Sequence, residues 1–352
     1  MKRIEEILTG KCLGQYRKEL MGIAMIWVMI FHSYTGILRK LHIPVLYQIC
    51  RHGNLGVEIF LLLSGFGLYY SLSKNDQVLP FYKRRLIRVV LPWLILSCPY
   101  WIVKSILVDK DSIGIFILNW FGLSFWTEGI TTVWYIAFII LLYAIYPFVF
   151  YFQRNNRYAI PLLIGGSILF NIFLLFACPE YYDKVEVALS RIPVFLLGSY
   201  IGESIYQSNR LLRNKKVYCY LFILLLLYIY PAIHSFFGFP EIDHSVMILI
   251  KRLRGQIVGF AVIFLSCWLF MSFELTSIKR ALAFVGALTL EEYMLHVFMG
   301  NVFHRSGITA KLNLPMLFLL MTLILVAAIV ISFVFAKVFD YIIKSFEERK
   351  KN

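Results

Sequence analysis

The stretch from Met21 to Gly36 reads MGIAMIWVMIFHSYTG, an almost unbroken apolar run with a histidine at position 32. A run of about 20 apolar residues can cross the hydrocarbon core of a bilayer, about 30 Å thick, as a helix. Similar runs recur along the 352 residues, of which 60% are hydrophobic and 16% charged. Soluble domains normally carry about 25% charged residues. The sequence therefore predicts an all-α, polytopic transmembrane helical bundle, and we treat residues 1–352 as one domain.

Ten transmembrane helices are predicted from the apolar runs between charged breaks. Their approximate bounds are Leu20–Leu38, Asn54–Leu72, Leu86–Leu107, Thr132–Phe152, Tyr158–Ala177, Val187–Tyr206, Val217–Phe236, Gly255–Phe273, Ala281–Phe303 and Leu314–Ile343. The shorter run Ile113–Trp126 is rich in aromatic residues and flanked by acids, so we interpret it as an interfacial or re-entrant segment. If this segment spans the membrane, the count becomes eleven helices, and every later helix crosses the membrane in the opposite direction.

Loop charges orient these helices. With both termini in the cytoplasm, the cytoplasmic loops collect basic residues and the outer loops hold most acids outside the two chain ends. This pattern follows the positive-inside rule, with residues 1–19 as a cytoplasmic lead-in and 345–352 as a cytoplasmic tail. The exceptions are basic residues in the predicted outer loops: Arg39, Lys40, Arg51, Lys251, Arg252 and Arg254. We attribute the formal net charge of +15 to basic loops facing anionic membrane lipids, not to nucleic-acid binding.

Cysteine spacing and the lack of internal repeats bear on three alternatives: a disulfide framework, a metal site and a transporter. The six cysteines are scattered singly and mostly lie in or beside apolar runs, which indicates neither a disulfide framework nor a metal site. The two halves of the chain do not resemble each other. This weighs against a transporter built from repeats without excluding one.

Helix direction places several polar or amphipathic side chains at a similar depth in the outer half of the membrane. They are His32, Glu58, Trp134, Tyr135, Arg191 and His296. Ionisable groups within spans are costly and tend to mark reaction centres or pathways. A carboxylate beside a histidine suits general-base catalysis, because the acid orients the ring and holds a proton on its far nitrogen. We interpret His32 and Glu58 in this way; the alternative is structural hydrogen bonding within the bundle or snorkelling to the interface.

Two further places in the spans carry polar groups. Glu291 and Glu292 lie within the predicted span Ala281–Phe303, and one of them is expected to face the protein interior. Ser64, in LLLSGFG, is either a substrate contact or, beside Gly65 and Gly67, part of a close helix contact.

The sequence PFYKRRLIRVVLPW, residues 80–93, places a basic cluster at the cytoplasmic end of the third predicted helix. Arg85 and Arg88 are three residues apart and share a helix face. Such a guanidinium pair can hold phosphate groups by forked hydrogen bonds. Positive-inside anchoring accounts well for Lys83 and Arg84 but less well for Arg88, which lies one turn deeper. No P-loop or GxGxxG pattern occurs nearby, so side chains would have to bind a nucleotide.

Five stretches, taken in order, resemble the integral-membrane acyltransferase-3 family, acetyl-CoA-dependent O-acyltransferases that modify cell-surface glycans. They are RKELMGIAMIWVMIFHS, NLGVEIFLLLSGFGL, FYKRRLIRVVLPW, TTVWYI and LTLEEYMLHVF, with RIPVFLLGSYIG as a looser sixth element. The resemblance covers roughly Arg17 to His304. It implies that His32 is essential for transfer and that Arg85 and Arg88 lie on the side of the acyl donor.

Two departures from the family pattern affect the expected site. The family usually has an arginine eleven residues before the histidine, where this chain has Met21. Arg17 lies one helical turn earlier on the same face, and we hypothesise that it reaches inward. The family also usually has aspartate where this chain has Glu58, a change that preserves the charge.

The resemblance implies acetyl transfer from cytoplasmic acetyl-CoA to a hydroxyl of an extracytoplasmic or lipid-linked glycan, in a bacterial plasma membrane and without a metal. His32 acts as general base, or as a nucleophile that forms an acetyl-histidine. The expected donor contacts are Arg17, Arg84, Arg85 and Arg88. The expected substrate contacts are Ser64, Trp134, Tyr135, Arg191, His296 and Glu292. The rival interpretations are a transporter or flippase of a glycan or lipid intermediate, and a membrane sensor descended from the enzyme.

Overall fold

The computed structural model describes residues 10–207 and 244–349, and within these ranges the regular structure is helical without a strand. The main helices are α1 (Arg17–Lys40), α2 (Gly56–Lys74), α3 (Val78–Val108), α4 (Trp134–Asn155), α5 (Ala159–Ala177), α6 (Ile192–Tyr206), α7 (His244–Ser272), α8 (Thr276–Ala287), α9 (Thr289–Arg305) and α10 (Leu314–Arg349). Shorter helices are Lys11–Gln15, Pro44–Arg51, Ile113–Trp120, Ser124–Glu128, Pro179–Leu189 and Ile308–Lys311.

Eight helical stretches within the described ranges are long and apolar enough to cross a membrane, and α8 with α9 form a ninth if counted as one span. The prediction of an all-α, multi-pass membrane bundle is therefore confirmed. The predicted span Val217–Phe236 lies outside the described residues. The segment interpreted as interfacial or re-entrant forms Ile113–Trp120 and Ser124–Glu128, both far shorter than the ~20 residues that a crossing needs.

The predicted single helix Ala281–Phe303 is wrong, because α8 and α9 meet at an angle of 72° around Leu288. The apolar run continues through the bend, and hydropathy carries no information about the direction of a helix axis. Glu291 and Glu292 consequently lie in the first turn of α9 rather than in the middle of a straight span. Acidic residues in a first turn interact favourably with the positive end of the helix dipole.

The stretches containing α2 and α6 form the centre of the bundle. The apolar windows of Pro44–Lys74 and Pro179–Tyr206 are 83% and 89% buried, whereas those of Ala159–Ala177 and Leu314–Ser345 are only 22% and 17% buried. The exposed apolar faces of α5 and α10 are suited to contact with lipid chains. Polar groups on α2 and α6 are therefore enclosed by protein.

Glycines bring the central helices into backbone contact. A Cβ atom at Gly65 of α2 would lie 2.1 Å from the carbonyl oxygen of Phe195, and one at Gly198 of α6 would lie 2.1 Å from that of Leu62. Small residues permit such close approach between membrane helices. The alternative interpretation of LLLSGFG as a packing sequence thus holds for Gly65.

Candidate active site

A cavity of about 570 Å³ lies at the end of the bundle where α1 and α3 begin and α2 ends. Four residues that the sequence analysis singled out, Arg17, Ser64, Arg85 and Arg88, line it together. We call it the arginine cavity. Its lining combines three guanidinium groups from two helices, which makes it a site for an anionic ligand.

Arg17 reaches this cavity from the start of α1. Its Nε and Nη2 atoms lie 3.4 and 3.3 Å from the carbonyl oxygen of Leu63, to which they donate. Gly67 leaves room for the guanidinium group, since a Cβ atom there would lie 3.0 Å from Nη2. Met21, one turn later, packs partly buried against the hydrophobic core. Arg17 therefore supplies a guanidinium group to the arginine cavity. It does so from one helical turn before Met21, the position where the family usually has an arginine.

The basic cluster at the start of α3 divides between two environments. The guanidinium carbon of Arg85 lies 5.2 Å from the ring centroids of both Phe81 and Tyr143, a cation–π arrangement that restrains it. Arg88 is exposed and lies in a wide π-helical turn, Leu86–Val90, a distortion often found at functional sites. Arg84 instead donates to Ser71 Oγ at 3.5 Å and is not among the residues that line the arginine cavity.

A second cavity, of about 440 Å³, is lined by the later part of α1 and by residues of α9 and α10. His32 is exposed to it, and the buried His296 lies beneath, with 5.4 Å between the two ring centroids. We call this the histidine cavity. Its position toward the opposite end of α1 separates it from the arginine cavity.

The protonation pattern of His296 follows from its backbone contact. Its Nδ1 atom lies 2.6 Å from the carbonyl oxygen of Glu292, and since a carbonyl only accepts, Nδ1 carries the proton. Nε2 is then an acceptor; it is buried and has no hydrogen-bond partner among the described residues. Among the described residues, the Nε2 atom of His296 is therefore a free hydrogen-bond acceptor on a ring that lies next to the ring of His32.

A series of aromatic contacts runs from the histidine pair toward the arginine cavity. Tyr293 lies 6.0 Å from His296 and 5.3 Å from Tyr135, measured between ring centroids. Tyr135 in turn interacts with the side chain of Ser64, which lines the arginine cavity. Sequence reasoning did not single out Tyr293, although its spacing of three residues from His296 places both on one face of α9.

Glu58 does not take the place beside His32 that the sequence analysis gave it. Its Oε1 lies 2.8 Å from Nε of Arg191, and the two side chains are only 1% and 2% exposed. Arg191 also lies 5.0 Å from the ring centroid of Trp134 and donates to the carbonyl of Val187. Within the described residues, no hydrogen bond or ion pair joins Glu58 to His32. Equal depth did not imply contact, because depth leaves the rotation of each helix undetermined.

The remaining candidate, Glu292, is buried. Glu292 is the interior member of its acidic pair, with an exposure of 0%, and its carboxylate has no hydrogen-bond partner among the described residues. It lines neither the arginine cavity nor the histidine cavity.

Tyr143 and Lys11 line the arginine cavity but were not predicted. Tyr143 lies in an apolar run that by itself gives no sign of a binding role.

The fold and the site define a polytopic membrane protein with two cavities toward opposite ends of the bundle, one lined by three arginines and the other by a histidine pair. Residues 20–337 match the family described as an acyltransferase domain, and the chain belongs to this acyltransferase-3 family. The protein is therefore a membrane acyltransferase. Comparisons with curated proteins and with solved structures found no match.

Proposed function

We propose that the protein transfers an acetyl group from cytoplasmic acetyl-CoA to a hydroxyl of an extracytoplasmic or lipid-linked glycan, in a bacterial plasma membrane. The observation that carries this proposal is the position of His32. It is exposed in one cavity, contacts the buried His296, and is connected through Tyr293 and Tyr135 to a cavity with three arginines.

The arginine cavity is the proposed site of the donor. Coenzyme A carries several phosphate groups, and guanidinium groups bind phosphate oxygens through two parallel hydrogen bonds. Arg88 is exposed to incoming ligand, while Arg17 and Arg85 are held by Leu63 and by two aromatic rings. In this proposal the phosphates bind among these groups, and the acetyl thioester extends between the helices toward Tyr135.

His32 is the proposed general base, with the glycan hydroxyl bound in the histidine cavity. A ring nitrogen of His32 removes the hydroxyl proton while the oxygen attacks the thioester carbonyl. The C–S bond then breaks, and the proton passes from His32 to the leaving thiolate of coenzyme A. The same ring can instead attack the thioester carbonyl first, so that the C–S bond breaks, coenzyme A leaves as its thiolate and an acetyl-histidine forms. The glycan hydroxyl then attacks this acetyl group, the bond to the ring nitrogen breaks, and the hydroxyl proton passes to the thiolate.

His296 is the proposed positioning partner of His32, in place of Glu58. Its Nε2 accepts hydrogen bonds because Nδ1–H is donated to the Glu292 carbonyl. If Nε2 receives the N–H of His32, the other nitrogen of His32 is left unprotonated and able to act as a base. Catalytic hydrogen bonds are often long before substrate binds and tighten in the complex.

The test uses purified protein, acetyl-CoA with a radiolabelled acetyl group and an acceptor glycan. We expect label in the glycan with wild-type protein and none with His32→Gln. A transporter or flippase would move the glycan without consuming acetyl-CoA. Movement of glycan across a reconstituted membrane with no acetyl transfer would overturn the proposal in favour of that rival.

A further inference from the structure

A third cavity, of about 540 Å³, lies between the segment that follows α1 and the first turns of α7. We call it the basic cavity; its charged and titratable lining residues are Arg51, His52, Glu186, Lys251, Arg252 and Arg254. It lies beyond the end of α1 opposite to Arg17 and the arginine cavity. Neither the proposed donor site nor the proposed base uses any of its residues.

The basic cavity has an excess of positive charge. Four cationic side chains line it, and Glu186 is the one acidic side chain among its described lining residues. Glu186 is already engaged by Arg252, whose Nε and Nη2 lie 3.2 and 2.9 Å from its two carboxylate oxygens. Arg51 and Lys251 are exposed to the cavity and form no ion pair within the described residues. A concave surface lined by charge of one sign concentrates ligands of the opposite sign.

Helix anchoring does not account for these charges. They are basic residues that the sequence places on the outer side, where the positive-inside rule predicts few. Lys251, Arg252 and Arg254 lie in α7 directly before the apolar run that is predicted to begin at Gly255, at the boundary between the outer loop and the membrane. Several like charges held close together at this boundary favour the binding of an anionic counter-ion or ligand.

The uncharged lining groups also suit an oxyanion. Gln48 and Asn54 line the cavity with amide groups that can donate hydrogen bonds. His52 accompanies them, with its Nδ1 atom 2.7 Å from the carbonyl oxygen of Gln48. Guanidinium, ammonium and amide donors together match the several acceptor oxygens of a phosphate group.

We infer that the basic cavity binds the phosphate group of a lipid. Its depth, close to the end of a membrane-spanning helix, is that of lipid headgroups, and basic pockets between membrane helices bind such headgroups. The phosphate belongs either to a membrane phospholipid or to the lipid carrier of a saccharide. The inference does not depend on acetyl transfer.

The experiment measures lipid binding to the purified full chain by native mass spectrometry. The probes are phosphatidylglycerol, a polyprenyl diphosphate and a lipid of similar chain length with a carboxylate head. The variant is Arg51→Gln/Lys251→Gln, which removes two exposed cations and leaves the Arg252–Glu186 pair intact. The matched control is Arg39→Gln/Lys110→Gln, which removes the same two residue types from exposed positions outside the three cavities.

We expect the cavity variant to bind at least one phosphate lipid about 10- to 100-fold more weakly than wild type, because it loses two cationic side chains that can donate charge-assisted hydrogen bonds to the phosphate. The control should change affinity by less than about twofold, since a distant exposed charge is largely screened. Tighter binding of phosphatidylglycerol identifies a phospholipid, and tighter binding of the polyprenyl diphosphate identifies a saccharide carrier.

Three outcomes would overturn the inference: equal phosphate-lipid binding by wild type and cavity variant, an equal loss in the control, or carboxylate-lipid binding as tight as that of the phosphate lipids. Acetyl transfer to a glycan is a separate measurement. A negative lipid result therefore leaves the proposed function standing, and a negative transfer result leaves the lipid site standing.

Discussion

Arg191 and Glu58 form an ion pair in the centre of the bundle, with 2.8 Å between Nε and Oε1 and almost no exposure of either side chain. The pair joins α2 to the residue that precedes α6, and these helices belong to the two most buried candidate spans among the described residues. Since its carboxylate is committed to a guanidinium group, Glu58 balances a buried charge and does not orient His32. His296 contacts His32 instead.

Removing one partner of this pair should be strongly destabilising. Arg191→Met leaves an uncompensated buried carboxylate, which costs about 3–5 kcal/mol, whereas Glu58→Leu/Arg191→Met removes both charges and should recover most of the loss. The measurement is the apparent Tm of detergent-purified protein. The exposed pair Arg154–Asp76, at 3.2 Å, supplies the control, because Arg154→Met should barely change Tm. A single Arg191 variant with wild-type Tm would contradict the assignment.

His32 should be indispensable for acetyl transfer. His32→Ala and His32→Gln both remove the ring nitrogen that takes the proton, so transfer should fall to background while membrane abundance stays unchanged. The measurement is acetylation of surface glycan by mass analysis, normalised to protein level. His42→Asn is the control: His42 is exposed with φ 53°, a conformation that asparagine tolerates, and should keep activity. Wild-type acetylation in either His32 variant would refute the proposed role.

Replacing His296 should reduce turnover more than donor binding. His296→Gln removes the Nε2 acceptor beside His32 and so should lose part of the about 10²- to 10⁴-fold that a positioned general base contributes. We expect this loss in kcat, with KM for acetyl-CoA unchanged within about twofold. A purely structural role would lower the yield of folded protein without a selective effect on kcat. That pattern would remove His296 from the mechanism.

Arg88 and Arg84 should differ in their effect on the donor. Arg88 lines the arginine cavity, so Arg88→Gln should raise KM for acetyl-CoA by about tenfold, the value of one charge-assisted phosphate contact. Arg84 faces Ser71 outside that lining, so Arg84→Gln should leave KM nearly unchanged. Initial rates over a range of acetyl-CoA concentrations measure both. Equal KM values for the two variants would show that the cavity does not bind the donor.

The contact between α2 and α6 should not tolerate a methyl group. Gly65→Ala brings a Cβ atom within 2.1 Å of the Phe195 carbonyl oxygen, so the helices must separate, at a cost of about 1–3 kcal/mol or more. Gly165→Ala in α5 is the matched control, because nothing lies within 4 Å of its new Cβ atom and helix propensity favours alanine. Apparent Tm should fall for the first and hold or rise for the second. A wild-type Tm for Gly65→Ala would contradict this account of the core.

The candidate site could be predicted in part. The spacing of Arg85 and Arg88 indicated a shared face, and both line one cavity with Arg17 and Ser64. The pairing of Glu58 could not be read from the sequence, because a rise of about 1.5 Å per residue gives depth but not which neighbour a side chain faces. Arg84 and Arg88 differ by only one turn, and only packing separates them.

The sequence by itself determined that this protein is a multi-pass helical membrane protein, since apolar runs of membrane-spanning length have no other stable arrangement in lipid. It also determined which ionisable groups lie within the spans. Only the tertiary structure decided that Glu58 pairs with Arg191, that His32 meets His296, and that α8 and α9 meet at 72°. The physical reason is that hydropathy reports the free energy of transferring each segment into an apolar medium, which depends on the composition of that segment alone. The rotation and crossing of helices depend on contacts between residues far apart in the chain, such as Gly65 with Phe195.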